Sequence, residues 1–374
     1  MAWLRVVHRW LGLALGAIWA LQALTGMALM FSRPLDDWSL RASGRPADLA
    51  VVDRSLAAIL SAHPGARIAE YLPSGGAPGQ IDVLVKPRRG ASRVVRIDAA
   101  AGAVLREGDW SGPPGRVSLI RAILLLHKQL WAGEVGKTLI GLSGLVLLGN
   151  LLAGLRLAWP ARGRWRATLV PGRERTPVMG ALGWHRAVAL WLAPLALVTV
   201  VTGAGMAWSG ELQRLFGVAD DVRPAAARLA GAPIAPSAAA RAALARYPGS
   251  SLADVVMPSA KAPWYLIRVR RPGEWRQVFG ASLVYVDAHS GAVLAARDAL
   301  AQPLAGRVID GFYPAHTGEW AGLGGRIVMF GVGLWLVSTI GLGCGLWLTR
   351  RAARRARPRP AARAVQLSPG SLSE

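Results

Sequence analysis

The sequence predicts an α-helical integral membrane protein with four transmembrane helices, built as a tandem parallel repeat, that carries two small α+β units outside the membrane. Three observations support this fold class. Of the 374 residues, 53% are hydrophobic, and four apolar runs each reach the length of about 20 residues that a bilayer requires. Basic residues are concentrated in the short segments that flank these runs. Long stretches of the first half also recur in the second half.

The four apolar runs cover residues 10–31, 138–159, 187–208 and 326–348. None of them contains an internal Asp, Glu or Lys, and Arg156 lies near the end of its run. The first run is too long for the apolar part of a secretory signal and lacks a small-residue cleavage site. We therefore predict that it stays in the mature protein as the first span.

The net charge of +23 is unevenly distributed, and its distribution predicts the topology. The N-terminal stub, the connection 156–186 and the tail from Arg350 together hold 16 arginines and two acidic residues. This bias predicts that all three lie in the cytoplasm. The connections 33–118 and 209–322 each hold 12 basic and 9 acidic residues and are predicted to lie outside. The excess charge is explained by topology and by contact with anionic lipid, so nucleic-acid binding is rejected.

The repeat is visible as matched segments. The stretch HRWLGLALGAIWALQALTGMAL from His8 aligns with HRAVALWLAPLALVTVVTGAGM from His185 at an offset of 177. Further on the offset settles at 189, which places His127 on His316. Each half holds two spans, an even number, so both halves insert in the same orientation. The two halves are then related by a pseudo-two-fold axis along the membrane normal.

Each long connection has the pattern of one helix followed by short strands. VVDRSLAAILSAHPG has helical spacing and is followed by the alternating runs IDVLVKP and RVVRIDAAAGAVLRE, and the second connection repeats this order. An amphipathic segment precedes spans two and four and is predicted to lie at the interface. The predicted organisation is 1–31 (stub and first span), 32–118 (first outside unit), 119–159 (interfacial segment and second span), 160–186 (basic loop), 187–208 (third span), 209–305 (second outside unit), 306–348 (interfacial segment and fourth span) and 349–374 (basic tail).

Four of the six histidines occupy matched positions at the predicted membrane edges. His8 and His185 share a depth near the cytoplasmic ends of spans one and three, and His127 and His316 share a depth just before spans two and four. Two neutral imidazoles from facing helices are a common pair of axial ligands for haem b. The pattern predicts two haem b groups per chain, one for each histidine pair, and an electron path across the membrane.

Neighbouring residues are consistent with this interpretation. Arg9 and Arg186 follow two of the histidines and are suited to haem propionates. Glycines at matched positions of the spans would let a backbone or a flat porphyrin approach closely. These glycines are Gly26, Gly144, Gly203 and Gly333. Tryptophans in the spans are candidates for an electron relay, although packing is the simpler explanation. These tryptophans are Trp19, Trp191 and Trp335.

Other metal chemistry is less well matched. Zinc requires three or four close ligands, whereas each predicted level offers two histidines. Glu134 and Glu319 lie near the outer histidines, so a divalent-metal site on that face stays an alternative. The single cysteine, Cys344, excludes a disulfide framework within the chain.

The motifs HRWLGL, LTGMALMF, HKQLWAGEVGK and HTGEWAGLGGR resemble the PepSY-associated transmembrane family, over about residues 3–350. Within that family the chain is similar to the di-haem inner-membrane reductases of ferric siderophores. The resemblance implies a bacterial inner-membrane protein with both termini in the cytoplasm and two periplasmic PepSY units. It also implies haem b held by the four matched histidines, and reduction of an Fe(III) siderophore or other Fe(III) chelate to release Fe(II).

Some relatives carry a fused flavin-reductase domain, which this sequence does not contain. We therefore expect a separate electron donor, either a flavoprotein reductase or a quinol. Trp131 and Trp320 each follow an outer histidine by four residues and are candidates for a platform that docks the chelate.

Two alternatives stay open at this point. The first is a membrane-anchored PepSY module that binds a peptide or protease without redox activity, but it does not explain four matched histidines. The second is a transporter built from parallel repeats. Transporters place polar or broken-helix sites near the middle of the membrane, and few polar residues lie within the predicted spans.

Overall fold

The computed structural model describes residues 1–75, 77–110, 118–172, 176–218, 222–225 and 231–355. The end of the predicted basic tail, 356–374, lies outside the described residues. The first half contains α1 (Ala2–Met30), α2 (Ser32–Trp38), α3 (Leu49–Ala62), β1 (Arg67–Pro73), β2 (Gln80–Lys86), β3 (Arg93–Asp98), β4 (Ala103–Asp109), α4 (Leu119–Gln129) and α5 (Gly133–Ala158).

The second half repeats this order, with one short helix ahead of it and a pair of helices in the place of α1. It contains α6 (Trp165–Leu169), α7 (Pro177–Trp191), α8 (Ala193–Ala207), α9 (Ser209–Leu215), α10 (Pro236–Arg246), β5 (Ser251–Val256), β6 (Trp264–Arg270), β7 (Ser282–Asp287), β8 (Val293–Arg297), α11 (Leu304–Thr317), a 3-10 turn (Glu319–Ala321) and α12 (Gly322–Arg355).

Three helical stretches are long and apolar enough to cross a membrane, namely α1, α5 and Glu319–Arg355. Together α7 and α8 have the length and composition of a fourth span, but they are bent by 64° at Leu192. The prediction of one continuous helix over 187–208 is therefore wrong. Pro194 explains the break, because proline lacks an N–H and its ring clashes with the carbonyl of the preceding turn.

The strands form a single eight-stranded antiparallel sheet in the order β4-β3-β2-β1-β5-β6-β7-β8. Each half contributes one four-stranded meander, and the two meanders join where β1 pairs with β5, with Tyr71 opposite Val255. The prediction of two separate α+β units is therefore wrong in this respect. β1 is the outer strand of its meander and pairs with the outer strand of the other, which the sequence pattern of either half does not reveal.

One face of the sheet carries a continuous apolar core. Alternate residues of the strands point to this face, where α3 and α10 cover them. Tyr71 and Val255 lie side by side in this core and are 1% and 0% exposed, so the core crosses the joint between the meanders. Asp48 caps α3 by accepting hydrogen bonds from the backbone N–H groups of Ala50 and Val51.

The opposite face of the sheet carries charged side chains that connect it to α2. Arg96 donates to Asp82 at 2.7 Å and to Asp36 at 3.0 Å, and it also pairs with Asp37. Arg106 donates to Asp36 as well. Since α2 directly follows α1, this buried ionic network holds the sheet over one end of the helices.

The apolar helices pack as a connected bundle. Helix α1 contacts α4, α5 and α12, helix α5 contacts α8, and α7 packs against α12. Helix α11 packs against α8 in the same way that α4 packs against α1. The amphipathic helices α4 and α11 therefore lie against the bundle at its sheet end, each just ahead of a long apolar helix.

Candidate functional site

The four matched histidines meet in two pairs at opposite ends of the bundle. The rings of His127 and His316 have centroids 6.3 Å apart and planes tilted by 46°. The rings of His8 and His185 have centroids 6.2 Å apart and planes tilted by 47°. We call the first the sheet-side pair and the second the distal pair. The sequence predicted both pairings.

Tight turns after α4 and α11 fix the sheet-side pair. Helix α4 ends at Leu130, whose φ of 48° is left-handed, and α11 ends at Gly318 with a φ of 70°. A side chain at Gly318 would place its Cβ 2.2 Å from the carbonyl oxygen of Gly325, so this turn requires glycine. Each turn directs the chain from the short helix with its histidine into the long apolar helix that follows.

Each of the four imidazole rings lies against a glycine of a neighbouring helix. An added Cβ would lie 2.8 Å from Cε1 of His8 at Gly154, 2.8 Å from Cε1 of His316 at Gly203, 3.1 Å from Cε1 of His127 at Gly26 and 3.3 Å from Cε1 of His185 at Gly343. Gly26 and Gly203 were predicted as positions of close approach, and what approaches them is the histidine itself. The predicted Gly144 and Gly333 instead contact Ala204 and Met27.

The hydrogen bonds of the rings define their tautomers. The Nδ1 atom of His8 is 3.1 Å from the Asn150 carbonyl oxygen, and that of His316 is 2.9 Å from the Thr199 carbonyl oxygen. A carbonyl can only accept, so each Nδ1 carries the proton and donates it. The Nε2 atom then carries the lone pair, which is the form that binds a metal.

His127 reaches the same state through a hydroxyl. Its Nδ1 lies 3.0 Å from Oγ1 of Thr25, and that hydroxyl donates its own proton to the Leu21 carbonyl at 2.7 Å. Thr25 therefore accepts from His127, whose Nε2 again holds the lone pair. Burial lowers the pKa of both His127 and His316, which favours the neutral ring.

His185 is the exception. Its Nδ1 is buried beside the Thr339 carbonyl but has no hydrogen-bond partner among the described residues. None of the four Nε2 atoms has a hydrogen-bond partner among the residues that the structure describes.

Each pair lines its own cavity. The sheet-side cavity has a volume of about 1080 Å³ and the distal cavity about 1030 Å³. From His8 to Gly26, 18 residues along α1, the helix rises about 27 Å, so the two levels are separated by most of a bilayer. Trp19 and Trp335 line both cavities and are 2% and 5% exposed. Trp191, the third predicted relay residue, lines neither cavity and is 49% exposed.

The donor set fits a haem held by two imidazoles at each level. A metal ion bound to two imidazole nitrogens at about 2 Å each fits between rings whose centroids are 6.2–6.3 Å apart. The predicted propionate partners Arg9 and Arg186 each have a buried Nε without a partner among the described residues. The described lining of the distal cavity includes no carboxylate and eight arginines: Arg5, Arg9, Arg156, Arg186, Arg350, Arg351, Arg354 and Arg355.

The predicted docking platform lies elsewhere. Trp131 and Trp320 are 47% and 61% exposed, and neither lines the sheet-side cavity. The Nε1 of Trp131 donates to the Ala122 carbonyl at 2.9 Å. Over the described residues, no group of three or more metal-ligating side chains forms around Glu134 or Glu319 or elsewhere.

The sequence interpretation missed a group of cations in the sheet-side cavity. Arg33, Arg121, Lys128 and Arg276 come from separate segments and line the same space as the histidines. No local motif marks them, because they become neighbours only when the sheet is placed over the helices.

These apolar helices and the sheet define a membrane-embedded protein with two half-buried histidine pairs. The chain belongs to the PepSY-associated TM family, since the model of the PepSY-associated TM region matches residues 5–350. This membership confirms the predicted PepSY relationship and the predicted membrane protein. No curated protein sequence matches the chain.

Proposed function

We propose that this protein is a haem b electron-transfer protein of the bacterial inner membrane. It would take electrons from a flavoprotein reductase or quinol at the distal, cytoplasmic side and deliver them to an Fe(III) chelate, such as a ferric siderophore, at the periplasmic side. One observation carries the proposal: two histidine pairs line separate cavities at opposite ends of the same helices, and their Nε2 atoms have no hydrogen-bond partner within the described chain.

Haem iron, when bound, supplies one-electron chemistry by alternating between Fe(III) and Fe(II). The protein contributes the ligands His8 and His185 at one level and His127 and His316 at the other. The hydrogen bond at Nδ1 fixes the tautomer of a ring and raises the basicity of its Nε2. The glycine beneath each ring sets how deeply that ring lies in its cavity.

Reduction of a chelate at the sheet-side cavity requires no acid, base or nucleophile. An electron passes to the docked Fe(III), and no proton or covalent bond changes place. The resulting Fe(II) is less charged and matches hard oxygen donors less well, so the chelate weakens and the metal is released. The protein therefore has to hold the chelate close to the sheet-side pair and keep the path between the two levels dry. Trp19 and Trp335 fill the space between the cavities.

The first test is the haem content of the detergent-purified protein, measured as the pyridine haemochrome per chain. We expect a b-type spectrum and about two haems per chain, one for each histidine pair. Protein made with ample haem that contains none would refute the proposal and favour the peptide-binding PepSY module.

The second test uses the reduced protein as the electron source. Dithionite-reduced protein, freed of reductant, is mixed with an Fe(III) trihydroxamate, and the b-type absorption is followed with time. We expect reoxidation together with the appearance of Fe(II), trapped by a colorimetric Fe(II) ligand. If the haem stays reduced with every Fe(III) chelate tried, Fe(III) chelates are not the acceptor and the protein passes its electrons to another molecule.

A further inference from the structure

A group of four positively charged side chains, which we call the cation cluster, lines the sheet-side cavity. It consists of Arg33, Arg121, Lys128 and Arg276. Arg33 lies in α2, Arg121 and Lys128 lie on α4, and Arg276 lies in the loop between β6 and β7. Three separate parts of the chain therefore bring positive charge to one place.

The carboxylates in the described lining of the cavity form no ion pair with this cluster. The acidic side chains of the cavity mostly serve other partners: Asp36, Asp37 and Asp82 bind Arg96, Asp310 binds Arg297, and Glu319 accepts from the backbone N–H of Val278. None of the four cluster side chains forms an ion pair within the part of the chain that the structure describes. Nη1 of Arg33 and Nε of Arg276 are buried and have no hydrogen-bond partner there.

Aromatic rings hold the guanidinium groups in place. The guanidinium carbon lies 3.7 Å from the ring centre of Trp110 for Arg121, 4.3 Å from that of Phe279 for Arg33 and 4.9 Å from that of Tyr313 for Arg276. Arg121 also donates from Nε to the Trp110 carbonyl at 2.9 Å, and Arg33 donates to the Tyr313 hydroxyl at 3.3 Å. Stacking fixes the guanidinium planes and leaves most of their N–H donors available.

The arrangement is unfavourable for the protein alone. Burial lowers the pKa of Arg276, because its charged form is partly removed from water. Cations that are partly desolvated and repel one another are stabilised when an anion binds between them.

Membrane topology does not account for these cations. The basic residues that orient membrane proteins are found in cytoplasmic segments, which here are the segments at the distal end of the bundle. The cation cluster lies at the other end, beneath the sheet.

The cluster is adjacent to the sheet-side histidines. Lys128 directly follows His127 on α4, and Tyr313, which supports Arg33 and Arg276, lies one turn before His316 on α11. An anion held by the cluster would therefore lie in the same cavity as the sheet-side pair.

We propose that the cation cluster binds a carboxylate-bearing, net-anionic Fe(III) chelate beside the sheet-side histidines. This inference rests on the proposed function and adds the class of substrate to it. Guanidinium groups pair with carboxylates through two parallel hydrogen bonds, so a chelate with free or peripheral carboxylates gains contacts that a neutral one lacks.

Binding is best measured with gallium(III), which has the size and charge of Fe(III) but is not reduced under these conditions. The haem-loaded protein in detergent is titrated calorimetrically with gallium(III) citrate and, for comparison, with a neutral gallium(III) trihydroxamate. The variants are Arg276→Gln and Lys128→Gln. The side chain of Lys128 makes no hydrogen bond in the described structure, so its replacement should not unfold the protein. Arg241→Gln is the matched control, because it also removes one positive charge. Arg241 is exposed and lies on α10, which covers the opposite face of the sheet.

We expect gallium(III) citrate to bind more tightly than the neutral complex and to lose about tenfold in affinity in each cluster variant, but not in Arg241→Gln. Equal binding of the two complexes, or an equal loss in the control, would overturn the inference. Propionates of haem share the carboxylate chemistry, so haem content is measured for every variant. If Arg276→Gln and Lys128→Gln lose haem from the sheet-side level while citrate affinity is unchanged, the cluster serves propionates and the inference fails.

The inference and the proposed function can fail separately. If gallium(III) citrate binds as expected but the reduced protein passes no electron to Fe(III) citrate, the anion site stands and the reductase function does not. If the reduced protein reduces neutral chelates as fast as anionic ones and gallium(III) citrate does not bind, the function stands and the anion site is refuted.

Discussion

The two histidine pairs have almost the same geometry in very different electrostatic surroundings. In both, the ring centroids are 6.2–6.3 Å apart and each ring lies against a glycine. The described lining of the distal cavity holds eight arginines without a carboxylate, whereas the sheet-side cavity mixes paired acids with the aromatic-stacked cation cluster. The arrangement of the imidazole rings is therefore common to both levels. The difference in charge is consistent with the distinct roles that we propose for them, electron entry at one end and substrate docking at the other.

The largest effect is expected when the two histidines of one pair are replaced together and the other pair is kept. We expect His127→Ala with His316→Ala to lower the haem content from about two per chain to about one, because both proposed ligands of one level are removed. His8→Ala with His185→Ala should do the same at the distal level. We would measure the pyridine haemochrome content of each double variant and the absorption spectrum of the haem that it retains.

Both double variants should retain the elution volume of the parent in size-exclusion chromatography. Loss of all haem from either double variant, with the fold intact, would show that the two levels are not independent sites.

A smaller change tests the glycine beneath one ring. Gly154→Ala places a Cβ 2.8 Å from Cε1 of His8, so the imidazole has to move out of its position. We expect about tenfold weaker haem binding at the distal level, as for other disturbances of the groups that support a metal ligand. Gly149→Ala is the matched control on the same helix, because its Cβ would meet no atom within 4 Å. Equal haem loss in both variants would attribute the effect to α5 rather than to the ring.

The hydroxyl of Thr25 distinguishes two equivalent positions. Thr25 accepts from Nδ1 of His127. Thr202, its match in the second half, donates instead to carbonyls of its own helix, and its hydroxyl contacts no histidine in the described structure. We expect Thr25→Val to weaken haem binding at the sheet-side level about tenfold and Thr202→Val to leave it unchanged. Titration of the haem-free protein with haemin measures both. Similar affinities for the two variants would mean that the hydroxyl does not support the ligand.

The smallest expected effect concerns the redox potential of the distal level. Positive charge stabilises the reduced haem, so Arg9→Gln and Arg186→Gln should each lower the distal midpoint potential. At a cost of roughly 1 kcal/mol per charge, the shift is about 40 mV for a one-electron couple. Spectroelectrochemical titration measures it, and the sheet-side potential serves as the internal reference. A shift of equal size at both levels would argue against a local effect of these arginines.

The histidine pairs could be predicted from the sequence, because a matched offset places His8 with His185 and His127 with His316 at common depths. The helix and strands of each outside unit could also be predicted, because they have the local periodicity of their secondary structure. The break at Leu192 was foreseeable from Pro194 alone, but the apolar run is continuous on both sides of it and conceals the bend. A hydropathy profile shows that a segment is apolar, but it does not show whether the helix axis bends.

Contacts between distant segments that the internal repeat does not mark could not be predicted. The joining of β1 to β5 depends on which edge strands meet, and either half alone leaves that choice open. The cation cluster also could not be predicted. Acidic and basic residues are nearly balanced in number over each connection, but they are not paired evenly in the structure. Asp36, Asp37 and Asp82 all pair with Arg96, whereas Arg276 and the rest of the cation cluster form no ion pair among the described residues.

The joint between β1 and β5 has a consequence for what one half of this chain could do alone. Each of these strands would otherwise be an open edge, with N–H and C=O groups ready to pair with any other strand. A half-length chain would have to cover that edge, and the simplest cover is a second copy of itself in the same antiparallel register. Two such copies would also bring their histidines together in pairs. The covalent link between the halves thus makes permanent an assembly that separate halves would have to find by collision, and it allows the two sides of each pair to differ.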